Sequence, residues 1–411
     1  MARRLLEADG LEQGNVINLA RQIYDWERGK HFPRNWADTY AKVFKIDPSE
    51  LFSTGQAREA SSRHDPAHDF EDDDMKRRAL LSLFATTAVA APFGHEAERL
   101  RAALTGTLTT EATTRDADAW ARTAFDHAHE IDRVPPAELL PDLLADFAEL
   151  NLHITRAHGH VRSRLVDTAA QLAALTAYEL TVVGDPRGAR RWWRTAAQAA
   201  DESGNQDTSS NVRGKAAVLS LYTGVPELAA VEAAEETIAL SSRPSSGLAS
   251  AHSAQAQAFA QLGRLDEAKQ ALNDLTRVFQ GLPAAVTKDK TSAWGWSEQR
   301  LHHVASYVHT HAGDLDRAQA AQDSATALYP ADSFLARAQI ELHRAGGLIR
   351  IGDTDTGAGH VVDVMTAIPS AHRGDSMIRR TAFTSLNLAS TKDARRPALR
   401  DAYAMLANTP A

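Results

Sequence analysis

Histidine and acidic side chains that could hold a metal ion occur in several short clusters of the sequence. His95-Glu96 and His129-Glu130 begin like the zinc-binding helix of a metalloprotease, but neither is followed by the second histidine that such a helix needs. Close pairs such as His127 and His129 are not four residues apart, so a helix would not direct both rings at one metal. We therefore predict neither a metal site nor a bound cofactor.

A nucleophile is the next kind of chemistry to consider. Gly374-Asp375-Ser376-Met377 resembles a hydrolase serine motif only superficially, because it lies between two predicted helices with no strand before it. The sequence has no glycine-rich phosphate loop. It also contains no cysteine, which excludes a thiol nucleophile, a disulfide framework and a cysteine-ligated metal. The sequence thus predicts no catalytic residue and no enzymatic activity.

Residues 18–34 suit a different chemistry, the recognition of a nucleic acid. Leu19, Ile23 and Trp26 recur at helical spacing and leave the polar side chains on the other face. Gly29 ends this helix, and Pro33 prevents its continuation. Arginine suits guanine edges, glutamine suits adenine edges, and further cations suit phosphates; the alternative is that these are ordinary surface residues. The candidate DNA-binding residues are Asn18, Arg21, Gln22, Asp25, Arg28, Lys30 and Arg34.

Trp26-Glu27-Arg28-Gly29, with Pro33 after it and Ile46, Pro48 and Glu50-Leu51 further on, resembles the XRE/Cro-type helix-turn-helix family. The resemblance covers residues 1–52. It implies that a recognition helix from about Asn18 to Glu27 lies in the major groove of double-stranded DNA. The segment from Met1 to Ala8 resembles the first helix of the pair. We therefore expect the helix that precedes the pair in this family to lie upstream of Met1 or to be missing.

Composition divides the chain into three segments. Residues 1–52 form the small module, residues 53–78 an acidic linker with an Asp-rich run, and residues 79–411 a large alanine-rich domain. The net charge of −8 and the 43% apolar content are typical of a soluble globular protein. The apolar stretch 79–91 is too short to span a bilayer as a helix. We therefore expect a cytoplasmic protein with no membrane partner.

The large segment repeats a pattern of two helices joined by a glycine turn. In one unit Ala256 and Ala268 are small residues where the helices cross, and Gly263 permits the turn. The 50-residue interval between two turns contains an insertion from Gln280 to Glu298. Residues 115–182 and 376–408 are also predicted to be helical. The turn glycines recur at spacings of 40, 39, 50 and 39 residues: Gly184, Gly224, Gly263, Gly313 and Gly352.

These units resemble tetratricopeptide repeats, although the usual period is about 34 residues. The resemblance implies an all-α chain in which the helix-turn-helix module is followed by an α-solenoid of tetratricopeptide-like hairpins with a concave groove. Arginine, lysine, tryptophan and histidine side chains that could line the groove include Arg162, Lys215 and His302. Trp193 is also a candidate, but it occupies a core position of its repeat, so we expect it to be buried. The residues that we predict to contact a ligand in this groove are Arg156, Arg164, Trp192, Arg213, Arg300 and His303.

Together the two segments are similar in layout to actinobacterial XRE-type regulators with a C-terminal tetratricopeptide-like domain. This layout implies a homodimeric, DNA-binding transcriptional regulator whose repeat domain senses a small molecule or peptide, mediates dimerisation, or does both. The alternative is a protein-interaction adaptor with a vestigial helix-turn-helix that does not bind DNA. The operator, the effector and the sign of regulation stay open at this point.

Overall fold

The computed structural model describes residues 111–240, 243–369, 372 and 374–408, together with Ile23, Thr39, Val43 and Arg101. Residues 111–408 form fifteen helices and, where described, no β-strand, which confirms the predicted all-α class for this part of the chain. The helices are α1 Thr114–Glu130, α2 Pro136–Thr155, α3 Gly159–Val182, α4 Pro186–Ser203, α5 Gln206–Ser220, α6 Glu227–Leu240, α7 Ser246–Gln261, α8 Leu265–Gln280, α9 Ala284–Thr287, α10 Glu298–Ala312, α11 Leu315–Leu328, α12 Phe334–Arg350, α13 Thr354–Ala367, α14 Ser376–Leu386 and α15 Pro397–Asn408.

The chain divides into two compact units, Met1–Val89 and Ala90–Ala411. Ile23 in the first unit is helical and buried. The two predicted segment boundaries, at residues 52 and 78, lie outside the described residues. So do all the candidate DNA-binding residues, namely Asn18, Arg21, Gln22, Asp25, Arg28, Lys30 and Arg34.

The turn between α3 and α4 shows how the sequence sets the hairpins. Gly184 has a φ of 79°, a left-handed conformation that glycine adopts without steric cost. The Asp185 carboxylate then caps α4 by accepting hydrogen bonds from the backbone N–H groups of Arg187 (3.1 Å) and Gly188 (2.8 Å), with Pro186 in the first turn. All five predicted turn glycines have positive φ values, which confirms the positions of the turns.

The helices pack in the order in which they occur along the chain. Neighbours pair as hairpins, α3 with α4, α5 with α6, α7 with α8, α10 with α11, α12 with α13 and α14 with α15. The first helices of these hairpins also pack on one another in succession, and the last of them, α14, contacts α3. At that junction the Ser376 hydroxyl donates a hydrogen bond to the Thr181 carbonyl oxygen. The six first helices, α3, α5, α7, α10, α12 and α14, thus form a closed ring, called the inner ring below.

Alanines hold the hairpins close together. The predicted crossing residues Ala256 and Ala268 are fully buried, as are Ala177, Ala189 and Ala196 in the first hairpin. A methyl side chain lets two helix backbones approach without leaving a void. Among the described residues, no helix is both long and apolar enough to cross a membrane.

The insertion between α8 and α10 begins and ends where the sequence predicted, since α8 ends at Gln280 and α10 begins at Glu298. The middle of the insertion contacts α1, where the Ala293 N–H donates a hydrogen bond to the Ala128 carbonyl oxygen over 2.7 Å. The Trp296 indole N–H donates to the Ser250 hydroxyl of α7 over 2.9 Å. The insertion therefore ties α1 to the inner ring.

Candidate functional site

The inner ring encloses a cavity of about 190 Å³. Every helix of the ring contributes to its wall, and the α1–α2 loop, the insertion and the segments before α12 and α14 complete it. One representative from each ring helix is Tyr178, Lys215, Gln257, His303, Gln339 and Ile378. Because the wall comes from helices far apart in sequence, the cavity exists only when the ring is closed.

Carboxyl groups lie together on one side of the cavity. Asp132 accepts a hydrogen bond from the Tyr178 hydroxyl over 2.9 Å. Burial, together with repulsion by Asp132, raises the pKa of Glu179 to about 9, so this side chain is protonated at neutral pH. Burial likewise raises the pKa of Asp375 to about 6. Two backbone N–H groups donate hydrogen bonds to its carboxylate and act in the opposite direction, lowering the pKa.

Glu179 is fully buried, and neither of its carboxyl oxygens has a hydrogen-bond partner among the described residues. Its carboxyl group interacts electrostatically with Asp132 and Asp375, which both line the cavity, so Glu179 lies close to the cavity wall. An unpartnered buried polar group destabilises a fold by about 1–3 kcal/mol. Such a group beside a cavity marks a functional-site candidate.

Two cations come from neighbouring parts of the wall. The Arg300 guanidinium donates to the backbone carbonyls of Ser292 (2.9 Å), Ala293 (3.4 Å) and Gly295, so it fastens the insertion to α10. Lys215 lies deep in the ring but keeps part of its surface accessible because it faces the cavity. Burial and the nearby Arg300 lower the pKa of Lys215 to about 7, with Asp132 acting in the opposite direction.

His303 and three tyrosines supply neutral polar groups. The Tyr329 hydroxyl lies 3.2 Å from Nδ1 of His303, and burial together with the Arg300 charge lowers the pKa of His303 to about 4. Burial raises the pKa of Tyr222 to about 12. These rings are therefore uncharged at neutral pH and can donate or accept hydrogen bonds to a ligand.

Only some of the residues predicted to line a groove lie at the cavity. Arg300, His303 and Lys215 line the same cavity. Arg164 instead forms an ion pair with Asp118 (2.6 Å), and Arg213 forms one with Asp201 (2.6 Å).

Trp192 and Arg156 are not among the residues that line the cavity. The Trp192 ring packs edge-on against Phe147, with 5.0 Å between the ring centroids. Arg156 ends α2, where its backbone N–H bonds to the His153 carbonyl (3.1 Å).

Sequence reasoning missed Asp132, Tyr178, Glu179 and Asp375. One signal was present for Glu179, because it is the single charged residue between positions 168 and 183 of an otherwise apolar and small-residue helix. Asp375 was visible only as part of a rejected serine motif, although an aspartate before a predicted helix is a typical N-cap. Nothing in the local pattern of Asp132 or Tyr178 indicated that they would meet.

Comparisons with protein-family models, with curated proteins and with solved structures find no match to this chain. Concave sites with apolar walls and a few convergent polar groups are the usual form of small-molecule sites in proteins. This cavity has both features, and its buried ionisable groups have displaced pKa values.

Proposed function

We propose that the chain is a cytoplasmic, DNA-binding transcriptional regulator whose helical domain is a tetratricopeptide-like solenoid that senses a small molecule. The observation that carries the ligand-sensing part is the cavity inside the inner ring, with Lys215 facing it without a charge partner within hydrogen-bond distance among the described residues. An engineered apolar cavity of about 150 Å³ holds one benzene molecule. A cavity of about 190 Å³ therefore favours a small molecule over a peptide.

The DNA-binding part of the proposal is supported by the sequence pattern of residues 18–34. In it Arg21 and Gln22 contact base edges, while Arg28, Lys30 and Arg34 contact phosphates. Asn18 and Asp25 lie on the same polar face of the proposed recognition helix. We propose that a homodimer places two such helices on two half-sites of an operator.

The proposed ligand effect is a coupling between two sites. A ligand that binds one arrangement of the inner ring more tightly shifts the population towards that arrangement. If DNA also prefers one arrangement, ligand and DNA change each other's affinity by the same factor. The ring closes where α14 packs against α3. A ligand in the cavity would stabilise this helix–helix interface.

A gel-shift series with the DNA upstream of the protein's own gene tests DNA binding. We expect salt-sensitive, sequence-specific retardation by the 411-residue chain. Arg21→Ala should reduce the preference for the specific site about tenfold or more, because it removes a base contact. Arg28→Ala should weaken binding to all sequences alike.

The matched control is Arg190→Ala, which changes an exposed arginine on α4 and should leave DNA binding unchanged. Absence of retardation by the native chain would contradict the regulator proposal and favour the protein-interaction adaptor. If the Arg21→Ala variant bound DNA with the same sequence specificity as the Arg190→Ala variant, the assignment of the recognition helix would be wrong.

A further inference from the structure

Lys215 differs from the other deeply placed charged residues of the cavity because its ammonium has no partner among the described residues. It lies on α5, directly after the point where α5 and α7 are in closest contact. Its ammonium makes no hydrogen bond or ion pair with any residue that the structure describes, although the side chain lies deep in the domain. A buried ammonium without a partner is costly, and an anion at the same position would remove that cost.

The other deeply placed charges have partners already. Arg300 holds three carbonyl oxygens of the insertion and approaches Asp132 to 4.0 Å. Asp132 accepts from Tyr178, and Asp375 accepts from two backbone N–H groups at the start of α14. Lys215 is therefore the charge to which a ligand can contribute most.

Arg300 and Asp132 act electrostatically on Lys215, and the same cavity lining also includes apolar and aromatic side chains. Val218, Leu219 and Tyr222 follow Lys215 along α5 and the turn after it, and Val304 and Leu335 come from α10 and α12. Such side chains suit the carbon skeleton of a ligand rather than a second charged group. The volume of about 190 Å³ limits that skeleton to about one substituted ring.

Exposed residues of the lining mark where the cavity opens. Arg133 in the α1–α2 loop and Lys290 in the insertion are exposed, and Asp332 lies before α12. Asp132, in the same loop as Arg133, also has a partly exposed side chain, so charges of both signs lie at the opening.

We propose that the cavity binds a small organic monocarboxylate of about the size of one substituted ring, with its carboxylate on the Lys215 ammonium and its carbon skeleton against Leu219 and Tyr222. This inference rests on the ligand-sensing part of the proposed function and specifies the class of ligand. The ammonium donates to the carboxylate, as in other charge-assisted hydrogen bonds. No covalent step is involved.

Titration calorimetry on the full chain tests the proposal with benzoate and with benzamide, its uncharged counterpart of the same shape. We expect one benzoate per chain and at least about tenfold weaker binding of benzamide, which corresponds to about 1.4 kcal/mol. Lys215→Met keeps the length of the side chain and removes the charge. It should reduce benzoate affinity by at least about tenfold and benzamide affinity by a clearly smaller factor, because only benzoate loses a charge-assisted hydrogen bond.

The control Lys392→Met changes an exposed lysine that does not line the cavity, and it should bind both probes like the native chain. Equal binding of the two probes, native-like benzoate binding by Lys215→Met, or no benzoate binding at millimolar concentration would each overturn the proposal. A chain that retards its operator DNA and binds no carboxylate loses only this ligand assignment. A chain that binds benzoate and no DNA keeps the assignment and loses the regulator function.

Discussion

Gly214→Ala is expected to lower the free energy of unfolding of the helical domain by about 3 kcal/mol or more. Gly214 on α5 faces Gly247 on α7, and a Cβ at position 214 would lie 2.2 Å from the Gly247 carbonyl oxygen. Both partners are helix backbone, so no flexible side chain can move aside. Overpacking of this kind typically costs 1–3 kcal/mol and more where the backbone must shift.

The same crossing is equally close at Gly247, where a Cβ would lie 2.3 Å from the backbone of Ser210 on α5. Gly247→Ala should therefore destabilise the domain to a similar extent. Urea unfolding followed by circular dichroism measures both effects. The control is Gly359→Ala in α13, where the added methyl meets nothing within 4 Å and the glycine is exposed. That change should stabilise the helix by up to about 1 kcal/mol. Native-like stability of Gly214→Ala would show that α5 and α7 do not cross at these glycines.

The crossing also positions the site, because the residue after Gly214 is Lys215. A ring in which α5 moves away from α7 would displace Lys215 from the wall that it shares with Gln257. Gly214→Ala should therefore lose carboxylate binding as well as stability, even under conditions where it is folded.

Glu179→Gln is expected to stabilise the protein by about 3 kcal/mol at pH 7. Burial and the neighbouring carboxyl groups raise the folded-state pKa of Glu179 to about 9, against 4.5 as its ordinary value. Between these values the folded chain holds a proton that the unfolded chain releases, so Glu179 lowers stability progressively as pH rises from 4.5 to 9. Each unit of pH in that range costs about 1.4 kcal/mol. Glutamine is neutral in both states and removes the cost.

Urea unfolding of Glu179→Gln and of the native chain at pH 5 and pH 7 measures this effect. The gain should be about 1 kcal/mol at pH 5 and about 3 kcal/mol at pH 7, because the other titrating groups are common to both proteins. Glu236→Gln, which changes an exposed glutamate of α6, should show little gain at either pH. A gain that does not change with pH would contradict a protonated Glu179.

Local features of the fold could be predicted because they depend on short stretches of sequence. The turn at Gly184-Asp185 needs only a glycine with positive φ and an aspartate cap, and the insertion was visible as one long interval between turn glycines. Closure of the ring could not be predicted in this way. It depends on Ser376 meeting Thr181, a contact across 195 positions that no repeat period specifies.

The candidate site shows the same division. Arg300 and His303 were selected by side-chain type, and both line the cavity from a ring helix. Arg164 and Arg213 were equally plausible by composition, but Asp118 and Asp201 approach them in the folded chain. The partner of a charged side chain is fixed by tertiary contacts, and this is also why Lys215 was not distinguished from the other cations.

The most direct measurement of the central claim is the titration of Lys215 by NMR in a chain whose lysines carry ¹³C at the ε position. The sequence has nine lysines, and Lys215→Met assigns the signal by removing it. We expect Lys215 to titrate with a pKa of about 7 in the free chain, well below the ordinary lysine value of about 10.4, and saturating benzoate to raise this pKa. A Lys215 signal that titrates near the ordinary lysine value, with or without benzoate, would contradict an unpartnered ammonium facing the cavity.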